Sequence, residues 1–237
     1  MKFRRKSTSE AIEIDLDDIP DSGEIETVEV VQDDAAEGVI FDTGESAEAA
    51  PAVQGPYDAD EMPDDAPAIT RIDLGSLHIP AVDGLELRLQ VDEGTGQIAA
   101  VMLTGEEGAV ELRAFAAPRN ADLWAEVLPQ LAADVQSRGG QVAQREGNFG
   151  PELVCQLAVT TPEGEQGVQP SRILGINGPR WLLRATFLGR PAVEMEVGTA
   201  WEGVLHHVVV NRGRTAMPKG EALPIVIPPQ AQQVQEA

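Results

Sequence analysis

The charge of this chain changes character near residue 66, and that change limits how much of it can fold. Between Ser7 and Asp65 stand twenty acidic residues and no Lys or Arg, whereas residues 66–237 carry twenty acidic and thirteen basic ones. The formal net charge of −23 is therefore concentrated before the break. Like-charge repulsion and a low content of large apolar side chains leave residues 1–66 unable to bury enough surface to offset the entropy of ordering. The sequence predicts a disordered acidic tail over 1–66, a single domain over 67–228 and a flexible C-terminal tail over 229–237.

Two pieces of the acidic tail alternate apolar and acidic residues: Ile12, Ile14 and Leu16 among Glu13, Asp15 and Asp17, then Ile25, Val28 and Val30 among acids. Such pieces can add a strand to the sheet edge of a protein partner; the plainer alternative is a solvated spacer. At the start, RRKSTS places Ser7 two residues after Arg5, a context that basic-directed kinases accept, so Ser7 is a candidate phosphosite.

From Ile72 onward, short apolar-polar alternations separated by turn residues read as an antiparallel sheet. LELRLQVD (Leu85 to Asp92), QIAAVMLT (Gln97 to Thr104) and AVELRAFAA (Ala109 to Ala117) are expected to form three meandering strands. The period then lengthens to that of a helix over about 121–138. There Leu123, Trp124, Val127, Leu128, Leu131 and Val135 share one stripe, with Asn120 as the expected N-cap and Gly139-Gly140 as the stop. Pro129 inside the stripe is expected to kink or split the helix.

Strand texture resumes in QVAQREG, ELVCQLAVTT, SRILGING and RWLLRATFLG, the last two joined through Asn177-Gly178-Pro179 as a hairpin. Thr199-Ala200-Trp201-Glu202 has the pattern of a capping box, which predicts a short helix over about 200–207 with Trp201, Val204, Leu205 and Val208 turned inward. VVVNRG reads as a final edge strand, and MPKGEALPIVIPP as a proline-restrained extended segment. The sum is an α+β domain with one long and one short helix packed on a mainly antiparallel sheet.

Four separated stretches, GPYDADEMPDD (Gly55 to Asp65), RIDLGSLHIPAVDGLELRLQ (Arg71 to Gln90), GPRWLLRATFLG (Gly178 to Gly189) and HVVVNRGRTAMPKGEALPIVIP (His207 to Pro228), together resemble an uncharacterised actinobacterial family of acidic cytoplasmic proteins. That resemblance implies no activity, cofactor or catalytic residue. The order of elements also resembles the fold of the Mog1 and PsbP proteins, which implies a role in binding partner proteins.

Little of the chemistry-bearing inventory converges. His206 and His207 are adjacent, and neighbours on a helix diverge by about 100°, which makes a shared metal improbable. Cys155, the only cysteine, lies in an alternating strand where a buried small hydrophobe is expected. With no disulfide to form, a reducing compartment is the simpler expectation. Neither Ser76 nor Ser171 sits in a G-x-S-x-G elbow. No catalytic residue, metal or cofactor is expected. An acidic chain repels nucleic acid, the residues after MKFRRK are polar where a signal peptide needs an apolar region, and no apolar run approaches the roughly 20 residues of a membrane span. A soluble, cytoplasmic protein is the expectation.

What stands out is arginine. Between Ser171 and Gly220 seven basic residues, Arg172, Arg180, Arg184, Arg190, Arg212, Arg214 and Lys219, face three acidic ones, Glu194, Glu196 and Glu202. On a strand after Arg180, period two sets Trp181, Leu183, Ala185 and Phe187 toward a core and Arg180 and Arg184 away from it. A three-residue turn would bring Arg172 opposite Arg184. Arg172, Arg180, Arg184, Arg212 and Arg214 are thus the candidate contacts for an anion or an acidic partner, because guanidinium groups bind carboxylate and phosphate in bidentate fashion. Neighbouring glutamates would satisfy the same arginines, and so would the acidic tail in an intramolecular contact. The resulting functional expectation is a non-enzymatic protein-interaction module that uses its acidic tail and an arginine-bearing hairpin face. The alternative is a binding protein or enzyme for a small anionic ligand held by Arg180, Arg184 and Arg212.

Overall fold

The alternation after residue 70 resolves into strands that pair almost entirely antiparallel in a computed structural model, which describes residues 27–30, 55–63, 66, 68–92, 94–160, 166–227 and 231–234. In chain order the elements are β1 (Thr27–Val30), β2 (Tyr57–Asp58), β3 (Arg71–Asp73), β4 (Leu77–Pro80), β5 (Glu86–Val91), β6 (Ile98–Gly105), β7 (Gly108–Ala116), α1 (Leu123–Ser137), β8 (Gln141–Gly147), β9 (Gly150–Thr160), β10 (Gln166–Asn177), β11 (Trp181–Gly189), α2 (Arg190–Val193), α3 (Met195–Leu205), β12 (Val209–Val210) and β13 (Ala231–Val234). The α+β class is as the sequence predicts.

Seven strands form one sheet in the order β5-β6-β7-β11-β10-β9-β8. Two meanders generate it: β5 to β7 pair in succession, α1 carries the chain to the far edge, and β8 to β11 return until β11 closes on β7. This route puts β10 and β11 in the middle. Every residue from Trp181 to Phe187 is consequently buried, on both faces of β11 rather than the one the alternation suggested.

Each face carries its own core. On one, the helix stripe Leu123, Trp124, Val127, Leu128, Leu131 and Val135 packs on Phe115, Leu153, Cys155, Ile173 and Leu182. On the other, Val110, Leu112, Ala114, Leu174, Trp181, Leu183 and Phe187 meet Trp201, Val204 and Leu205 of α3 and a small second sheet, β2-β12-β4-β3, through Leu77, Ile79 and Val210. Strand β12 is therefore interior to the small sheet, not an edge of the large one. The proline-restrained segment straps the sheets together: Leu223 N–H donates to Ala114 at 2.8 Å and Val226 N–H to Leu74 at 2.9 Å.

Three local expectations change for physical reasons. Asp122, not Asn120, caps α1, accepting from the Ala125 N–H at 3.0 Å, while Asn120 turns the chain with a positive φ of 53°. The helix is not split at Pro129 and continues as one element from Leu123 to Ser137. The short helix starts at Met195 rather than near 200, because Glu202 is drawn to a buried arginine instead of closing a capping box, and Thr199 Oγ1 donates back to Met195 O at 2.9 Å.

The termini are also more involved than charge alone indicates. Tyr57 and Asp58, which the charge pattern placed in the tail, join the small sheet as β2. Tyr57 is buried, and Trp181 Nε1 donates to Asp58 Oδ2 at 2.7 Å. Of the two apolar-acidic pieces, Thr27–Val30 pairs antiparallel with Ala231–Val234 of the same chain. The piece at Ile12 to Leu16, like Ser7, lies outside the described residues.

Helix α1 is seated through Gly175 on β10, where a Cβ would stand 2.2 Å from the Trp124 indole. Gly175→Ala is therefore expected to cost about 1–3 kcal/mol by overpacking, read as a lower urea midpoint with an unchanged slope. An unchanged midpoint would contradict this seating of α1.

Candidate functional site

A guanidinium on a strand covered on both faces loses its water and must find carboxylates inside the fold. Both interior arginines do so. Arg172 on β10 donates through Nη1 to Glu152 Oε2 of β9 at 3.3 Å and to Glu202 Oε1 of α3. The cluster extends outward: Arg145 Nε donates to Glu152 Oε1 at 2.5 Å, and Asn148 Nδ2 to Glu202 Oε2 at 2.7 Å. Two arginines and two glutamates thus neutralise one another. The Arg172 guanidinium lies 4.5 Å from the centroid of the Phe187 ring, the partner directly across the strand pair. Close backbone seals the group in, since a Cβ on Gly198 of α3 would stand 2.8 Å from Arg172 Nη2.

Arg184 on β11 occupies the opposite face, under α1. Its Nη2 donates to Glu111 Oε1 of β7 at 3.1 Å, and its guanidinium lies 5.6 Å from the Phe115 ring centroid. The hairpin register explains the separation. Asn177 pairs with Leu182, so Arg172 faces Phe187 and Gly175 faces Arg184. A three-residue turn would have offset the pairing by an odd number, and an odd offset exchanges the faces. Arg172 and Arg184 therefore never share a surface.

The remaining candidates gather elsewhere, at the end of the sheet where β7 stops and β11 begins. Arg180 is half-exposed in the turn before β11, Arg212 is half-exposed and Arg214 exposed in the loop after β12. Arg119, exposed in the loop after β7, joins them. Backbone hydrogen bonds hold these loops together: Asn120 N–H donates to Pro179 O at 2.8 Å, Ala117 N–H to Arg180 O at 2.9 Å, and Gly220 N–H to Ala116 O at 2.8 Å. The Trp181–Asp58 bond ties the turn to β2, which lies beside β12. Among the described residues, none of Arg119, Arg180, Arg212 and Arg214 forms an ion pair; Arg212 Nη1 donates only to the nearby Thr215 O at 2.9 Å. Lys219, at the same end, pairs with Glu126. Arg119 escaped the sequence reading because it is more than fifty residues from the others and carries no periodic signal.

The other titratable groups are committed locally. His206 Nδ1 lies 3.2 Å from Gly55 O, and its ring is 5.0 Å from that of Phe149. Burial, then the neighbouring charges of Arg71 and His206, hold His207 below the usual histidine range. The Cys155 thiol is pushed up to about 11 by burial, against a smaller opposing effect of a hydrogen bond with Ser171. A thiol so far from ionisation is a poor nucleophile near neutrality. Among the described residues, no three His, Cys, Asp or Glu side chains come together in a way that could hold a metal ion, and no helix is long and apolar enough to cross a membrane.

A family model described as a protein of unknown function, DUF3710, covers residues 55–234. Its start at Gly55 coincides with the cluster of Tyr57, Asp58 and Trp181. No curated protein matches the chain.

Two outcomes test the division between interior and terminal arginines. Arg172→Ala leaves Glu152 and Glu202 buried without their cation and is expected to cost about 3–5 kcal/mol, whereas Arg180→Ala is expected to stay within about 0.5 kcal/mol. Equal losses on urea denaturation would contradict it. Cys155 is expected to resist a disulfide reagent in the native chain at neutral pH and to react fully in urea. Its raised pKa contributes stability that is complete below the unfolded thiol's pKa and is lost as pH climbs from there toward about 11. Rapid native labelling would show that the thiol is not buried.

Proposed function

The chain belongs to the DUF3710 family of proteins of unknown function, and from the geometry of its domain we propose that it is a non-enzymatic protein-interaction module whose basic loop end receives an acidic segment. One observation carries the reading. Arg119, Arg180, Arg212 and Arg214 lie on loops at one end of the sheet without a carboxylate partner among the described residues, in a chain whose interior arginines are neutralised by glutamates. An arginine end left open in so acidic a protein is suited to carboxylates, which guanidinium groups hold in bidentate fashion. Exposed charges of this kind act over about a Debye length, roughly 8–10 Å at ordinary ionic strength, so binding would weaken with salt. The cytoplasm is the proposed location, supported by a single cysteine that packs as a buried thiol.

The competing reading, a small anionic ligand gripped by Arg180, Arg184 and Arg212, requires three side chains to converge. Arg184 is buried against Glu111 beneath α1, which takes it out of any such grip. A polypeptide laid across several loops needs no such convergence.

The test is a titration of the full chain with a short polyglutamate peptide at low salt. Binding is expected, and replacing Arg180, Arg212 and Arg214 together by Ala should weaken it about tenfold, the sum of a few exposed pairs. Equal affinity of the two chains, or no binding in either, would contradict the proposal.

A further inference from the structure

Resting on the reading of the basic end as an acid-binding surface, we infer that its resident occupant is a segment of this chain, residues 31–54. The segment carries Asp33, Asp34, Glu37, Asp42, Glu45 and Glu48 and no Lys or Arg. It links β1 to the approach to β2. At one end, Thr27–Val30 pairs with Ala231–Val234; at the other, Gly55 meets His206 and leads directly into β2. Asp58 of β2 bonds to Trp181, the residue after Arg180, and β2 runs parallel to β12, whose chain continues into Arg212 and Arg214. Because this pairing is parallel, Gly55 stands at the His206 end of β2 and Arg212 and Arg214 follow its other end, so the segment doubles back along β2, roughly 20 Å at about 3.3 Å per residue, to reach them.

A chain of this length spans at most about 80 Å when fully extended, so reach is not limiting. Closing a loop of such a size adds only a slowly growing entropy cost, while tethering supplies an effective concentration of order millimolar. Weak exposed pairs, each about 0.2–1 kcal/mol, are enough at that concentration when several act together. Other nearby acids leave the arginines open: Asp60 and Glu61, exposed just after β2, form no ion pair with them, and Glu126 is taken by Lys219. An external acidic partner would then bind by displacing the chain's own segment, and its apparent affinity would be reduced by that competition.

The buried Cys155 makes a direct test convenient, because the native thiol stays unlabelled. A nitroxide is placed on Ser46→Cys in the full chain, and amide line broadening is followed by NMR. At low salt the amides of Arg119, Arg180, Arg212 and Arg214 are expected to lose most of their intensity. That loss should disappear at high salt and in a chain in which the six acids of residues 31–54 are changed to Asn or Gln. The neutralised chain should also bind polyglutamate about tenfold more tightly. Broadening that persists at high salt and after neutralisation would overturn the inference, since it would reflect nearness of the tether alone. Absence of broadening while polyglutamate still shifts these amides would also overturn it, leaving the acid-binding surface intact. If polyglutamate shifts nothing in either chain, the acid-binding reading fails as well.

Discussion

The central stretches of β10 and β11, Ser171 to Gly175 and Trp181 to Phe187, have no solvent-facing side, and this decides where every charge in the middle of the sheet can go. A lone buried guanidinium would cost several kcal/mol, so Arg172 and Arg184 exist only with Glu152, Glu202 and Glu111 beside them. The consequences spread outward. Helix α3 approaches closely enough for Glu202 to reach Arg172, with Gly198 at the contact. The β8–β9 hairpin is drawn in through Arg145 and Asn148. Replacing such a cluster wholesale by apolar groups can be neutral, but removing one member leaves an unpaired charge, so the cluster acts as a constraint on register more than as a source of net stability.

The repeating parts of this architecture were legible in the sequence. Period-two alternation marked the strands of the large sheet, and a period near 3.6 marked α1 with every residue of its buried stripe. What periodicity cannot supply is the offset between two strands. The hairpin pairs Asn177 with Leu182, and that choice alone moved Arg172 and Arg184 to opposite faces and dissolved the arginine-bearing hairpin face. Nor does a local pattern reveal a long-range competitor. Thr199 and Glu202 have the spacing of a capping box, yet a salt bridge to Arg172, distant in sequence, outweighs a cap and starts the helix earlier. Strands as short as β2 and β12 carry no period at all; they exist because Tyr57 and Val210 are buried between other elements.

The candidate site was legible only in part, for the same reason. Arg180, Arg212 and Arg214 were visible as basic residues, but nothing local distinguishes them from Arg172 and Arg184. Topology makes the distinction, by sending two arginines into central strands and leaving the others, with Arg119, on loops at one end.

The contrast between Arg172 and Arg184, neutralised in the interior, and Arg119, Arg180, Arg212 and Arg214, open at one end, can be read at the guanidinium groups themselves. Arginine side-chain NMR spectra recorded while polyglutamate is added should show the Nε–H signals of Arg119, Arg180, Arg212 and Arg214 shifting together. Those of Arg172 and Arg184 should stay fixed and slow to exchange with solvent. Shifts at Arg172 or Arg184, or an unmoved spectrum throughout, would contradict the division.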